Sequence, residues 1–322
     1  MRKMRKFHVK TLLWWLVSLS LTAGAAFSVY GNFSKSKAEE KAVCLRLWQV
    51  DSFEGGKGSR GAFLKRVANE FYKESGVTVI VSTLTQYGAK TAFEKGETPD
   101  LFSFGLGADY AADYAYSLGL SSTSDDRAVV WCKGGYAIFS RTDEFSKMTE
   151  KNTLLSKGGN NLPSVAVALL GQKGNFKIED STTAYVKFLN GNCDYLIGTQ
   201  RDICRFSSRG VEVYCKPLGE YLDLNQYVSV TSGENMQSAL SFVRFLLREE
   251  TQRKLTSIGM LSSLFKIYDS GEKQSEMEKV TPSYTLSPFY GEEALDEIQA
   301  VAKEALRSGE AEPLKKILKS EG

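Results

Sequence analysis

From Val43 onward the sequence alternates short apolar, β-branched runs with stretches of helical period, and that alternation admits few folds. The run 44–50 (CLRLWQV) alternates as a strand does and ends in a glycine-rich turn at 54–58. Ser59 is placed to N-cap a helix whose apolar face carries Phe63, Val67 and Phe71, and Gly76 is placed to stop it. The β-branched run 77–84 reads as a second strand. A short helix through Ala89 and Phe93 comes next, and 101–104 reads as a third strand after Pro99. Strand–helix–strand–helix–strand predicts a mostly parallel sheet with helices on both faces.

The pattern restarts after Arg127. Residues 128–140 (AVVWCKGGYAIFS) form one long extended segment, and 164–170 reads as another apolar strand. A helix over 182–189 precedes a strand at 195–198 and a turn at Thr199, Gln200 and Arg201. Further strands are predicted at 211–215 and 227–231. The stretch 235–255 is amphipathic, with Met236, Leu240, Val243 and Leu247 on one face. Near the end, 292–307 aligns Leu295, Ile298, Ala302 and Leu306 and closes at Gly309, and a last helical turn begins at Pro313. Two successive α/β units predict two lobes.

The first 31 residues are of a different kind. Arg2, Lys3, Arg5, Lys6 and Lys10 precede an uncharged run, 11–31, rich in leucine and tryptophan. A cationic head before an apolar run directs the downstream chain across a membrane. Small residues at 23–26 suit cleavage, yet the run is also long enough, at roughly 20 residues, to span a bilayer uncut. Signal peptide and retained anchor both stay open, and 32–41 reads as a polar linker. Without those five positive charges the chain has 36 Lys and Arg against 38 Asp and Glu. A near-neutral body has no electrostatic footprint for nucleic acid. The one histidine, His8, lies in the same segment. The rest of the chain therefore holds no Ser-His-Asp or Cys-His arrangement and no histidine metal site. Cys44, Cys132, Cys193, Cys204 and Cys215 have no zinc spacing and read mainly as small core residues, the alternative in an exported chain being two disulfides with one cysteine left over. No cofactor is expected.

Five segments in order carry a resemblance: 47–71 (LWQVDSFEGGKGSRGAFLKRVANEF), 96–105 (GETPDLFSFG), 131–140 (WCKGGYAIFS), 188–205 (FLNGNCDYLIGTQRDICR) and 242–255 (FVRFLLREETQRKL). Together they resemble the extracellular solute-binding proteins of ABC importers of the carbohydrate type, which are distantly similar to maltose-binding protein. The resemblance implies a two-lobed periplasmic-binding-protein-like fold, each lobe a mostly parallel sheet flanked by helices, joined by hinge crossovers. It implies lobe 1 at 42–127 with a return segment at 225–265. Lobe 2 would be 128–224, and 266–322 would be C-terminal helices, mainly of lobe 2. It further implies an extracytoplasmic receptor for a small polar solute, a sugar or the like, handed to a membrane permease. The chain departs from the pattern in lacking a lipid-anchoring cysteine and in a second lobe that looks abbreviated between Arg141 and Ser181. A membrane-tethered sensor of the same fold is an alternative. So is an exported carbohydrate-active enzyme working through a carboxylate pair such as Asp51 and Glu54.

In open α/β sheets ligands gather beyond the carboxyl ends of the strands. That rule selects the turns after Val50, Phe104 and Gly198. Asp51, Glu54 and Lys57 in the first turn suit the vicinal hydroxyls of a sugar, or are a solvated turn. Gly56-x-Gly58-x-x-Gly61 in the same turn has the form of a dinucleotide fingerprint. The next strand, however, ends in Leu84, Thr85 and Gln86, with no acid for a ribose, which argues against a dinucleotide. Phe104 and Tyr110 are candidates for stacking on a pyranose, with Tyr110 and Tyr114 as helix core the competing reading. Trp131 lies in the extended crossover and faces either the cleft or the core. Gln200 and Arg201 offer donors after the strand ending at Gly198, the alternative for Arg201 being a pair with Asp202 or with a backbone carbonyl. Tyr221, before the return crossover, completes the candidate set.

Overall fold

The computed structural model describes residues 43–51, 58–119 and 125–320, without the side chains of Asp51 and Ser320. The N-terminal segment 1–42 therefore lies outside the described residues, as do Glu54 and Lys57.

The first unit forms as its pattern predicts. Strand β1 (Cys44–Asp51) leads to helix α1 (Arg60–Ser75), then β2 (Thr78–Thr85), helix α2 (Gln86–Glu94) and β3 (Leu101–Phe104). Ser59 caps α1 by accepting from the Ala62 amide at 3.1 Å. Gly76 ends it in the left-handed region, at φ 73°. A 3₁₀ turn, Asp109–Tyr114, comes after β3.

Strand β4 (Val129–Lys133) stays in this first sheet, and strand β5 (Tyr136–Ser140) opens the second. The extended segment 128–140 is thus two strands, and the chain changes lobes at Gly134 and Gly135 rather than at Arg127. The reason is pairing: β4 lies antiparallel to a strand, 225–230, that arrives far later in the chain.

The second unit runs β6 (Thr153–Lys157), α3 (Pro163–Leu169), β7 (Lys177–Asp180), α4 (Ser181–Leu189), β8 (Tyr195–Thr199), α5 (Gln200–Ser208) and β9 (Tyr214–Leu218). The strand expected at 164–170 is helix α3. A seven-residue run buried on every side has no period to read, and Pro163 at the first helical position favours the helix. Strands β6 and β7 fill the stretch that looked abbreviated. The strand expected at 211–215 lies at β9, on the sheet edge, where Pro217 is tolerated.

After the short β10 (Tyr221–Leu222) the chain returns in β11 (Asn225–Val230), then α6 (Met236–Leu246) and α7 (Glu249–Arg253). The single helix expected over 235–255 is broken at Leu247. Helix α8 (Lys273–Glu278), strand β12 (Tyr284–Thr285), α9 (Glu292–Ser308) and α10 (Glu312–Ser320) complete the described chain. No described helix is long and apolar enough to cross a membrane.

The two sheets share one plan. The first has the order β2-β1-β3-β11-β4 and the second β7-β6-β8-β5-β9. In each, the fourth strand is antiparallel to both its neighbours. The first lobe buries Phe63, Val67 and Phe71 of α1 against Leu45, Leu47, Trp131 and Phe242. The second buries Val165 and Ile197 against Leu295, Ile298, Leu306 and Leu314 of α9 and α10. Three crossings lie side by side: Gly134 donates to the Leu224 carbonyl at 2.8 Å, and Lys133 and Leu261 exchange both backbone hydrogen bonds at 2.9 Å.

Candidate functional site

The carboxyl ends of the parallel strands of both sheets meet across a narrow cavity of about 20 Å³. Gly105 and Leu106, past the end of β3, supply one wall. Gly158, Asn160 and Asn161, past the end of β6, supply the other, and Asp223, Leu224 and Gln226 of the return crossing form the floor. One hydrogen bond ties the walls, Asn160 Nδ2 donating to the Leu106 carbonyl at 3.1 Å, and away from the cavity Arg201 Nη2 of the second lobe donates to the Gly58 carbonyl of the first.

Asp223 is the ionisable centre of this floor. Its Oδ1 accepts from Tyr136 OH at 2.8 Å, and its Oδ2 from the Leu162 amide at 2.6 Å and Tyr221 OH at 3.1 Å. Burial pushes its carboxyl up to about 6, against these three donors. Both phenols are pushed up as well, by burial first and then by the carboxylate beside them. The Gln226 side chain is 1% exposed, and its Oε1 has no partner among the described residues. Gln49 Oε1, near the end of β1, is in the same condition. A buried acceptor without a partner costs about 1–3 kcal/mol.

The sequence-predicted residues divide by what the structure does with them. Arg201 is buried at the first turn of α5, and its Nη2 donates to a backbone carbonyl, that of Gly58. Asp202, its alternative partner in the sequence reading, is taken by the helix start, accepting from the Thr199 amide at 2.9 Å and from Arg205 Nη1 at 2.9 Å. Gln200 is spent on the hinge. Its Oε1 accepts from the Gly135 amide at 2.9 Å, and its backbone amide donates to the Gly135 carbonyl at 3.0 Å. A Cβ on Gly134 would stand 2.7 Å from that Oε1, so this crossing requires glycine. Tyr221 is fully committed to Asp223.

Phe104 is core, stacked on Phe102 at 5.2 Å and on Phe289 at 5.1 Å. Trp131 is core too. Its ring stacks on Phe63 at 5.7 Å, and its Nε1 donates to Ser103 Oγ at 2.9 Å beneath α1. It belongs to β4 inside the first sheet, so it does not face the cleft in this structure. Tyr110 is half-buried, its ring 5.8 Å from Phe93. Of the first turn only the backbone of Asp51 is described, and Glu54 and Lys57 lie outside the described residues. The last glycine of the apparent fingerprint has a packing role: a Cβ on Gly61 would meet Thr83 Oγ1 at 2.6 Å.

Sequence reasoning passed over Asn160, Asn161, Asp223 and Gln226. For two of them a signal existed, in the run YLDLNQYV, where an acid and two amides interrupt apolar residues.

No protein-family model matches the sequence, and no curated protein does. Solved structures do. The PBP AttC of Agrobacterium tumefaciens C58, in its open unliganded conformation, aligns over 83% of this chain and 99% of its own, with TM-score 0.61 and 11% identity. The fold is that of a two-lobed periplasmic binding protein. The sugar-binding protein MalE of Xanthomonas citri aligns over 86% and 96% of the two chains, with TM-score 0.56 and 14% identity. A periplasmic thiamin binding protein aligns over 85% and 98%, with TM-score 0.53 and 12% identity. Binding proteins for unlike solutes thus share this architecture, and the solute is a matter for the cleft's own side chains.

Proposed function

We propose that this chain is the extracytoplasmic receptor of an ABC-type importer. It captures a small polar solute of carbohydrate-like character between its lobes and delivers it to a membrane permease. It binds and does not transform what it binds. The N-terminal segment carries the domain across the membrane and either holds it there or is removed.

One observation carries this reading. The carboxyl ends of two sheets of the same plan face each other over a polar cavity, and the lobes are joined by crossings as short as the pair Gly134 and Gly135. A ligand that touches both walls favours the closed arrangement, because only that arrangement offers both sets of contacts. Amide and carboxylate groups dominate the cavity's polar lining, which suits a solute rich in hydroxyls. Phe104 and Trp131, being core, supply no stacking face, so recognition rests on hydrogen bonds.

The test is a panel of mono- and oligosaccharides, amino acids and vitamins read by thermal shift. A solute at a hundredfold excess over Kd stabilises by about 2.7 kcal/mol, or roughly 4–5 °C for a domain of this size. Small-angle scattering of the responding pair should show contraction. Stabilisation by no member of the panel, or turnover of one by the purified domain, would overturn the reading.

A further inference from the structure

Beyond its three crossings the chain joins the lobes a fourth time. The segment 286–290 is anchored in the second lobe at both ends. Before it, β12 pairs with β10, and after it α9 packs into the second core. Leu286 and Tyr290 are buried in that same core. Between them Phe289 reaches into the first lobe and stacks on Phe104 at 5.1 Å, while the Arg127 guanidinium sits over the Phe289 ring at 5.0 Å. Two hydrogen bonds fix the strap to lobe 1: Tyr227 OH donates to the Leu286 carbonyl at 3.0 Å, and the Gly107 amide donates to the Tyr290 carbonyl at 3.0 Å. At its end Gly291 lies so close to the first lobe that a Cβ would meet Asp109 Oδ2 at 2.8 Å.

We propose that the strap 286–290 is a latch, and that the seating of Phe289 among Phe104, Tyr227 and Arg127 sets how far the solute-free protein is closed. The inference rests on the hinge-closing reading above. Rotation of the lobes about their three adjacent crossings drags the strap, which moves with lobe 2, off the aromatic surface of lobe 1. The crossings themselves carry no such contact. The crossings are tied to one another by backbone hydrogen bonds, whereas the strap's contacts join residues of the two lobes. Opening therefore exposes Phe289 and the face of Phe104, and releases the Gly107 amide to solvent. Each of these disfavours the open state without any solute being present.

Hydrogen exchange on the solute-free protein, paired with small-angle scattering, reads this directly. Phe289→Ala should speed exchange at the Gly107 amide about tenfold or more and enlarge the radius of gyration. Protection in β3 and in α9 should hold, because neither depends on the seated ring. Unchanged exchange at Gly107 together with an unchanged radius would overturn the latch. If Phe289→Ala loses protection throughout, Tyr227→Phe decides the matter, since it keeps the ring and removes the hydroxyl that donates to the Leu286 carbonyl and accepts from Asn225 Nδ2 within lobe 1. Faster exchange at Gly107 in that variant supports the latch, and none overturns it. The experiment uses no solute, so a failed solute panel leaves its outcome standing, and a failed latch leaves the receptor reading standing.

Discussion

Replacing the Asp223 carboxylate by an amide, in Asp223→Asn, isolates the energetics of the hinge floor. In the native protein the carboxyl moves from its ordinary 3.8 to about 6, because burial outweighs the three donors that face it. None of those hydrogen-bond partners is basic. The folded state therefore holds this proton more tightly than the unfolded chain does. Stability from this group is full below pH about 4 and is lost as pH rises through about 6. A change of that size is worth about 3 kcal/mol. The substituted amide cannot titrate, and it leaves one of the three donors short of an acceptor at every pH, at about 1–3 kcal/mol. Near pH 7 these effects offset, and the variant should lie within about 2 kcal/mol of the native protein. Toward pH 4 it should fall behind by a further 3 kcal/mol or so. Urea unfolding of both proteins at half-unit steps from about pH 4 to 7.5 measures the difference, and comparing the two removes every other titrating group. A difference constant to within about 0.5 kcal/mol across that range would refute the reasoning, whatever its absolute value.

Gly134→Ala places a Cβ 2.7 Å from Gln200 Oε1 and 2.8 Å from Leu224 Cβ. It should cost about 1–3 kcal/mol in denaturant unfolding, and a change under about 0.5 kcal/mol would mean the crossings yield freely. Arg201→Ala removes a buried guanidinium that donates to the Gly58 carbonyl, so it should lower stability by about 1–3 kcal/mol in denaturant unfolding and weaken the responding solute about tenfold or more, as titration calorimetry would show; equal affinity would leave Arg201 a structural residue only. Trp131 is already fully buried beneath α1. Its emission should be blue-shifted and resistant to acrylamide with or without solute, and a solute-dependent change lost in Trp131→Phe would place it at the cleft after all.

The parts of the fold that are legible in the sequence are those with a period. Helix α1 is readable from Ser59 to Gly76 because its cap, apolar stripe and stop all agree. Helix α3 is not, since Val165, Ala166, Val167 and Ala168 are all buried and no side of the helix meets water to leave a polar mark. Strand β7 escapes for the opposite reason: KIED has no apolar alternation and gains its strand from pairing with β6. At the site, the rule of strand ends selects Arg201, which the structure buries and turns to the Gly58 carbonyl. It also selects Gln200, and Tyr221 stands beside a crossing, but the structure turns both to hinge work. A sequence cannot say whether a polar side chain beside a crossing faces the cavity or the backbone beneath it. For Asp223 the run YLDLNQYV marks an acid among apolar residues, but two of its three partners, Tyr136 and Leu162, lie far away in the chain, and nothing local announces that they converge on it.

The shared plan of the two sheets also orders events in time. The first sheet waits for β11 before its fourth place is filled, and so remains incomplete until residue 230 has left the ribosome. The second has all five strands by residue 218, yet its core is closed by Leu295, Ile298, Leu306 and Leu314. Neither lobe can finish folding while the first half of the chain is being made, and such distant pairings form slowly. For a chain that crosses a membrane before it folds, as proposed above, the arrangement is an advantage, because both lobes stay unfinished through the first half of synthesis.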